Sequence, residues 1–238
     1  MKTIRILQLY PSEMNIYGDW GNTLTLKKRL EWRGYKVELI EHHPDAQFPE
    51  NIDLIIGGGG QDSGQDKIKD DLIKIGPSLQ KLADDNIPML MICGLYQLFG
   101  HFFETHKGER IEGIGIFNLE TYGGPRRLIG NIVTKSDEFG EIIGYENHSG
   151  LTRLDEGQAS LGTVIKGDGN NGEDDTEGAR YKNVIGTYLH GSLLPKNPQL
   201  ADYLIQKAIE KKYGKVDLEK LDDTIATKAR SIATDRPR

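Results

Sequence analysis

Residues Pro88 to Gly100 read PMLMICGLYQLFG. An apolar run ends on Cys93, the single cysteine of the 238-residue chain, and Gly94 and a helix-like segment follow at once. A short apolar run between turn signals is the pattern of a strand buried on both faces. A glycine just beyond it permits a sharp reversal into a helix, which lifts the preceding side chain clear of the sheet and sets it at the positive end of the helix dipole. A cysteine chosen at random is more often inert core filling. Its place at a strand tip makes Cys93 a candidate nucleophile.

The segments on either side alternate in the same way. IRILQLY (4–10) is a strand-length apolar run, and TLTLKKRLEWRG spaces Leu24, Leu26, Leu30 and Trp32 loosely in helical fashion before a stop at Gly34. YKVELIE alternates as a strand, and IDLIIGGGG (52–60) is a buried strand running into Gly57, Gly58, Gly59 and Gly60. DKIKDDLIKIGPSLQKLADDN follows as an amphipathic helix around Ile68, Leu72, Ile75, Leu79 and Leu82. NVIGTYLH is a further buried strand, and NPQLADYLIQKAIEKKYG a helix. This order predicts an α/β fold with a doubly wound, mostly parallel sheet and helices on both faces. Between them, IGIFNLETY, RRLIGNIVTKS and EIIGYENHSG are β-prone segments broken at GGP and DEFG, which predicts an antiparallel extension of the sheet. KGDGNNGEDDTEGAR (166–180) reads as a solvated hairpin tip, and residues 214–238 as a polar helix or tail beyond a main domain of residues 1–213.

Composition narrows the function. Hydrophobic residues make up 37% and charged residues 28%, with 29 glycines, as in a soluble α/β protein rich in tight turns. A net charge of −6 offers no global attraction to nucleic acid or anionic lipid. No segment approaches the ~20 apolar residues of a membrane span, and MKTIRILQLYPSE lacks the marks of a secretory signal, so a cytoplasmic location is expected. One cysteine excludes an internal disulfide framework, and no ligand spacing points to a metal.

In an open parallel sheet, ligands sit beyond the carboxyl ends of the strands. Cys93, the glycines after DLII and His190 after VIGTYL all fall there. A thiolate nucleophile needs an imidazole that pairs with it and later protonates the leaving amine. His42 and His43 in EHHPD, together with His101 and His106, read as exposed surface histidines, leaving His190 as first candidate and His148 in YENHSG as second. Backbone N–H groups of the glycine run, Gly58 and Gly59 among them, and of Gly94 are available in principle to stabilise an oxyanion. Both nucleotide-binding glycine fingerprints are absent, which leaves this chain without a cofactor site of its own.

MICGLYQLFG, IIGGGGQDSGQ and IGTYLHGSLLPKNP together resemble the class I glutamine amidotransferases, in the branch of cobyric acid synthase and cobyrinate diamide synthase, over about Ile4 to Ala208. The resemblance implies a flavodoxin-like sheet, Cys93 attacking the side-chain amide of glutamine, and His190 as its acid/base partner. It further implies that Gln97 contacts bound glutamine and that Arg127, with Arg126 as the neighbouring alternative, holds the substrate carboxylate. GGGGQD and NLETYGGPRRLIG are similar to the free-standing glutaminase subunits of lipid II isoglutaminyl synthases. That likeness implies a Mur-ligase-like partner carrying ATP and magnesium, which amidates the D-glutamate of lipid II in peptidoglycan synthesis. Ammonia supply for cobyrinate-type amidation, a different Cys-His hydrolase and a non-catalytic scaffold are the alternatives.

Two departures from the family pattern stand out. Leu95 occupies a position where many relatives carry glycine, and Ser192 stands where ordinary class I members place the glutamate that orients the histidine. An imidazole without such a carboxylate has an unfixed tautomer. The expectation from sequence is that a partner subunit donates the missing acid.

Overall fold

The computed structural model of the chain describes residues 1–236. The first half contains β1 (Thr3–Leu9), α1 (Trp20–Trp32), β2 (Lys36–His42), β3 (Leu54–Gly57), α2 (Asp62–Asp84), β4 (Met89–Ile92) and α3 (Gly94–Leu98). Then follow β5 (Phe102–Glu104), β6 (Arg110–Glu112), β7 (Leu119–Ser136), β8 (Gly140–Leu154), β9 (Gly162–Lys166) and β10 (Thr176–Glu177). The chain ends in β11 (Ala179–Tyr181), β12 (Val184–Thr187), α4 (Leu193–Lys196), α5 (Pro198–Tyr213) and α6 (Thr224–Thr234).

A 6-stranded sheet in the order β11-β12-β4-β3-β1-β2 forms the centre. Its strands run parallel except the edge strand β11, which is antiparallel to β12. Strands β3, β4 and β12 are buried at every residue, so their side chains on both faces leave water, as apolar runs without alternation require. Helix α2 lays Ile68, Leu72, Ile75 and Leu79 on the core; truncating one such residue to alanine costs about 2–5 kcal/mol. In α1 only Leu26 and Leu30 of the predicted apolar set are buried; Leu24 and Trp32 are 44% and 64% exposed.

The antiparallel segments deviate from expectation. Apart from β11, they build a second sheet of their own, in the order β10-β9-β7-β5-β6 with β8 paired to β7. GGP does not break the chain: Gly123 to Leu128 is a β-bulge within the single long strand β7. A bulge absorbs the extra residues, and a proline there gives up no ladder hydrogen bond. DEFG is a turn, with Gly140 at φ +67°. The 166–180 segment is not a solvated tip. Asn170, Asn171 and Glu177 are buried, and the Asn170 side chain is bonded to Thr176, Gly178 and the Tyr96 hydroxyl.

His42 is likewise not a surface residue. It is 1% exposed, and its Nε2 meets Asp71 at 2.8 Å beside the Tyr10 hydroxyl, which donates to the same carboxylate. Beyond α5 the chain reaches α6, none of whose residues is buried; Pro237 and Arg238 of the expected tail lie outside the described residues. No helix among the described residues is long and apolar enough to cross a membrane.

Candidate active site

β4 ends one residue before Cys93, and the backbone turns there with φ +49° and ψ −101°. Such a conformation in a residue with a side chain costs on the order of 1–3 kcal/mol and persists only where its surroundings impose it. They do so here through two bonds: the Cys93 N–H donates to the Thr187 carbonyl at 2.8 Å, and the Cys93 carbonyl accepts from Gln97 N–H at 2.9 Å, starting α3. Leu95, buried, lies against Gly57, so the room that a glycine would leave in the helix is found in the strand instead.

Cys93 is 6% exposed and forms part of the wall of a cavity of about 340 Å³, inside the ~300–1,000 Å³ range of small-molecule sites. Gln65, Gln97, Phe103, Arg127 and Asn147 share that wall. Arg127 is held by Asn147, donating from Nε to the side-chain oxygen at 3.0 Å and from a terminal nitrogen to the backbone carbonyl at 3.2 Å. Arg126 does not reach the cavity; its guanidinium lies near Gly172. Of the two arginines, Arg127 is the one that lines the cavity.

His190 is fully buried and set behind Cys93 rather than on the cavity wall. Its backbone forms a bridge with Tyr145 of β8, and the Tyr17 ring meets the imidazole edge-on at 5.1 Å. Nδ1 lies 3.2 and 3.3 Å from the two oxygens of Asp19. Burial opposes charging of the ring, but attraction to Cys93 and the bond to Asp19 prevail and raise its pKa to about 10. Nε2, the other ring nitrogen, is buried without a hydrogen-bond partner among the described residues.

Asp19 corrects the expectation that no carboxylate of this chain meets the histidine. Only its contact across 171 positions of sequence reveals it. The signal available was its place in YGDWGN, beyond the carboxyl end of β1 and so on the same edge of the sheet as the other candidates.

The glycines serve close packing. The Gly59 N–H donates to Asp19 Oδ2 at 2.7 Å, so it is not free for an oxyanion as the sequence had allowed. A Cβ on Gly59 would stand 2.5 Å from His190 Cε1 and 3.2 Å from Cys93 Cβ. Gly58 packs against the Met14 carbonyl, and Gly94 against Met14 and the Gly60 nitrogen; of these glycines only Gly60 borders the cavity. Gln97 borders it too, its side chain fixed by Gln65 and Tyr188. His148 is on the wall. Burial holds its pKa down to about 3, Nδ1 bonds the Gly150 carbonyl at 2.8 Å, and the ring stacks on Tyr188 at 3.5 Å.

A strained cysteine near a buried imidazole, at a cavity holding an arginine fork, fits attack on an amide of an amino acid. Residues 5–198 match the CobB/CobQ-like glutamine amidotransferase domain. This chain belongs to that family. It is 39% identical over 237 residues to the lipid II isoglutaminyl synthase (glutamine-hydrolyzing) subunit GatD of Staphylococcus aureus, covering 99% of this chain and 97% of that one. It is 40% identical to the subunit of the same name from Streptococcus pneumoniae, covering 94% and 87%. A probable cobyric acid synthase of Methanococcus maripaludis is 31% identical over 74% of this chain but only 37% of its own length. In fold the chain is similar to a glutamine amidotransferase of Thermotoga maritima (TM-score 0.55, 14% identity, 97% of this chain and 93% of that one). The PurLQS structure from the same organism is also similar (TM-score 0.54, 15% identity, 88% and 99%).

Proposed function

We propose that this chain is the glutaminase subunit of a lipid II isoglutaminyl synthase. The observation that carries the reading is the Cys93–His190 pair at a cavity with Arg127, in a family member similar along nearly its whole length to subunits of that name. Arg127 takes the α-carboxylate of L-glutamine, and Gln97 contacts the bound amino acid. The Cys93 sulfur attacks the side-chain amide carbon, and the backbone N–H of Gly60, on the cavity wall, serves the oxyanion. As the C–N bond breaks, His190 gives its proton to the nitrogen, releasing ammonia and leaving a glutamyl thioester. Water, deprotonated by the now neutral His190, then cleaves the thioester to glutamate and restores the thiol.

The ammonia acceptor belongs to a synthase subunit. A Mur-ligase-like chain would bind ATP and magnesium, activate the D-glutamate carboxylate of lipid II and receive the ammonia; this chain has neither nucleotide fingerprint to do so itself. The test is ammonia release from glutamine, by the chain alone and with its synthase subunit, together with labelling by the glutamine analogue diazo-oxonorleucine. Label on Cys93, loss of release in Cys93→Ala, and amidation of lipid II only with the synthase subunit are expected. Undiminished release by Cys93→Ala would overturn the glutaminase assignment. Amidation of cobyrinate in place of lipid II would move the acceptor to the alternative class.

A further inference from the structure

The carboxylate expected at position 192 is replaced by a hydroxyl that has another task. Ser192 Oγ donates to the Gly18 carbonyl at 2.6 Å, one residue from Asp19. Gly21 packs directly on the same hydroxyl, and the Leu194 N–H donates to the Asn22 side chain at 2.9 Å. On the other side, the Ile16 N–H donates to the Gly59 carbonyl at 3.1 Å. The segment between β1 and α1 is thus tied to the His190 strand end and to the glycine run at once.

Asp19 itself stands at the N-cap of α1, where a carboxylate ordinarily accepts from the first free N–H groups of the helix. It makes no such bond. It is 2% exposed, and its oxygens are turned to His190 Nδ1 and the Gly59 N–H instead. The titratable groups facing the His190 ring are Asp19 and Tyr17 from the β1–α1 segment, Cys93 at the start of α3, and His148 of β8, with Lys196 reaching Gly191 beside it. Asp19 is the one carboxylate among them.

We propose that Asp19 is the positioning residue that holds His190 in its working tautomer, so that this chain supplies the third member of its own catalytic group from the β1–α1 segment. Bound at Nδ1, the carboxylate fixes the proton there and leaves Nε2 for the sulfur and the leaving nitrogen. The role that other class I members give to a side chain two residues after the histidine is filled from the opposite end of the sequence. Ser192 serves it by anchoring the segment that carries the acid.

The proposal rests on the glutaminase reading only for its substrate, and the test separates the two. Asp19→Asn, Asp19→Glu and wild type are compared as full chains and in complex with the synthase subunit. Glutamine turnover is measured against pH, and so is alkylation of Cys93 by iodoacetamide, which requires no glutamine. Asp19→Asn keeps an acceptor for Gly59 but presents a donor to Nδ1. Its kcat is expected to fall by roughly 10²–10⁴-fold with KM little changed, as loss of an orienting carboxylate does elsewhere, and alkylation at pH 7 to slow at least about tenfold. Asp19→Glu recovers part of both. Asp19→Asn with wild-type turnover in the complex and an unmoved alkylation profile would overturn the proposal and return the acid to the partner. Should the variant not fold, the wild-type ring-nitrogen resonances decide: a strongly downfield-shifted, slowly exchanging Nδ1 proton, as a carboxylate acceptor produces, supports the assignment, and an ordinary imidazolium Nδ1 shift with solvent-rate exchange refutes it. A wild-type chain whose alkylation depends on Asp19 but which releases no ammonia would sink the glutaminase reading alone.

Discussion

Gln65 Nε2 donates to Gln97 Oε1 at 2.9 Å and also to the Gly94 carbonyl at 3.1 Å, so one amide of α2 grips both ends of the turn that carries Cys93. Gln97 Nε2 in turn donates to the Tyr188 hydroxyl at 3.0 Å, which fixes which end of the Gln97 amide faces which neighbour. All three residues are buried, where an unmet polar group costs about 1–3 kcal/mol. Gln65→Leu is therefore expected to lower unfolding stability by about 1–3 kcal/mol and to slow turnover, because the Gln97 amide becomes free to rotate. Chemical denaturation and steady-state kinetics on the same preparation check it; wild-type values in both would show that the grip has no consequence.

Arg127→Ala is expected to raise KM for glutamine by about 10–100-fold, the equivalent of about 1.5–3 kcal/mol for a charge-assisted bond, whereas Arg126→Ala stays near wild type. Lysine at 127 does not restore binding, since an ammonium cannot reproduce the fork that meets both Asn147 and a carboxylate. Equal effects at 126 and 127 would contradict the placement of Arg127 alone on the cavity wall.

Gly59→Ala tests the spacing of the catalytic group. The new methyl would press on His190 Cε1 at 2.5 Å and on Cys93 Cβ at 3.2 Å, with Asp19 Oδ2 at 3.3 Å. Overpacking of this kind costs about 1–3 kcal/mol of stability, and a shift near 1 Å between imidazole and sulfur lowers turnover by about 10²-fold. The measurement is kcat at a temperature where circular dichroism shows the variant folded. Full activity there would mean that the imidazole tolerates displacement.

Glu177 connects stability to pH. It is fully buried, accepts from the Tyr188 N–H and the Thr187 hydroxyl, and desolvation by burial raises its pKa from the ordinary 4.5 to about 8 despite those bonds. Between these values the unfolded chain releases a proton that the folded chain keeps. The contribution of Glu177 is thus complete below pH 4.5, fades as pH rises, and is gone above about 8. Glu177→Gln, which keeps an acceptor oxygen, removes this dependence. Its Tm relative to wild type is expected to rise by several degrees between pH 5 and pH 8, at about 2–4 °C per kcal/mol for a chain of this size. A difference independent of pH in thermal melts would refute the titration.

Much of the centre of this molecule is written locally. The apolar runs ending at Leu9, Gly57, Ile92 and Thr187 specify buried strands without reference to anything distant, because burial on both faces removes the alternation of an exposed strand. Ligands gather at the carboxyl ends of such strands, so Cys93 and His190 were legible together with the sheet. Arg127 and Gln97 followed from motif likeness.

Tertiary structure decided what depends on contact across the chain. The carboxylate in YGDWGN carries no local signal of its role, and only the fold turns it onto an imidazole 171 positions away. His42 reads as a surface histidine until Asp71 and Tyr10 enclose it, and the asparagines of 166–180 read as solvated until Tyr96 meets them. Side-chain type and spacing encode periodic burial, which each segment expresses by itself. The pairing of two polar groups is settled only when packing has removed water from around both, and that requires the whole fold.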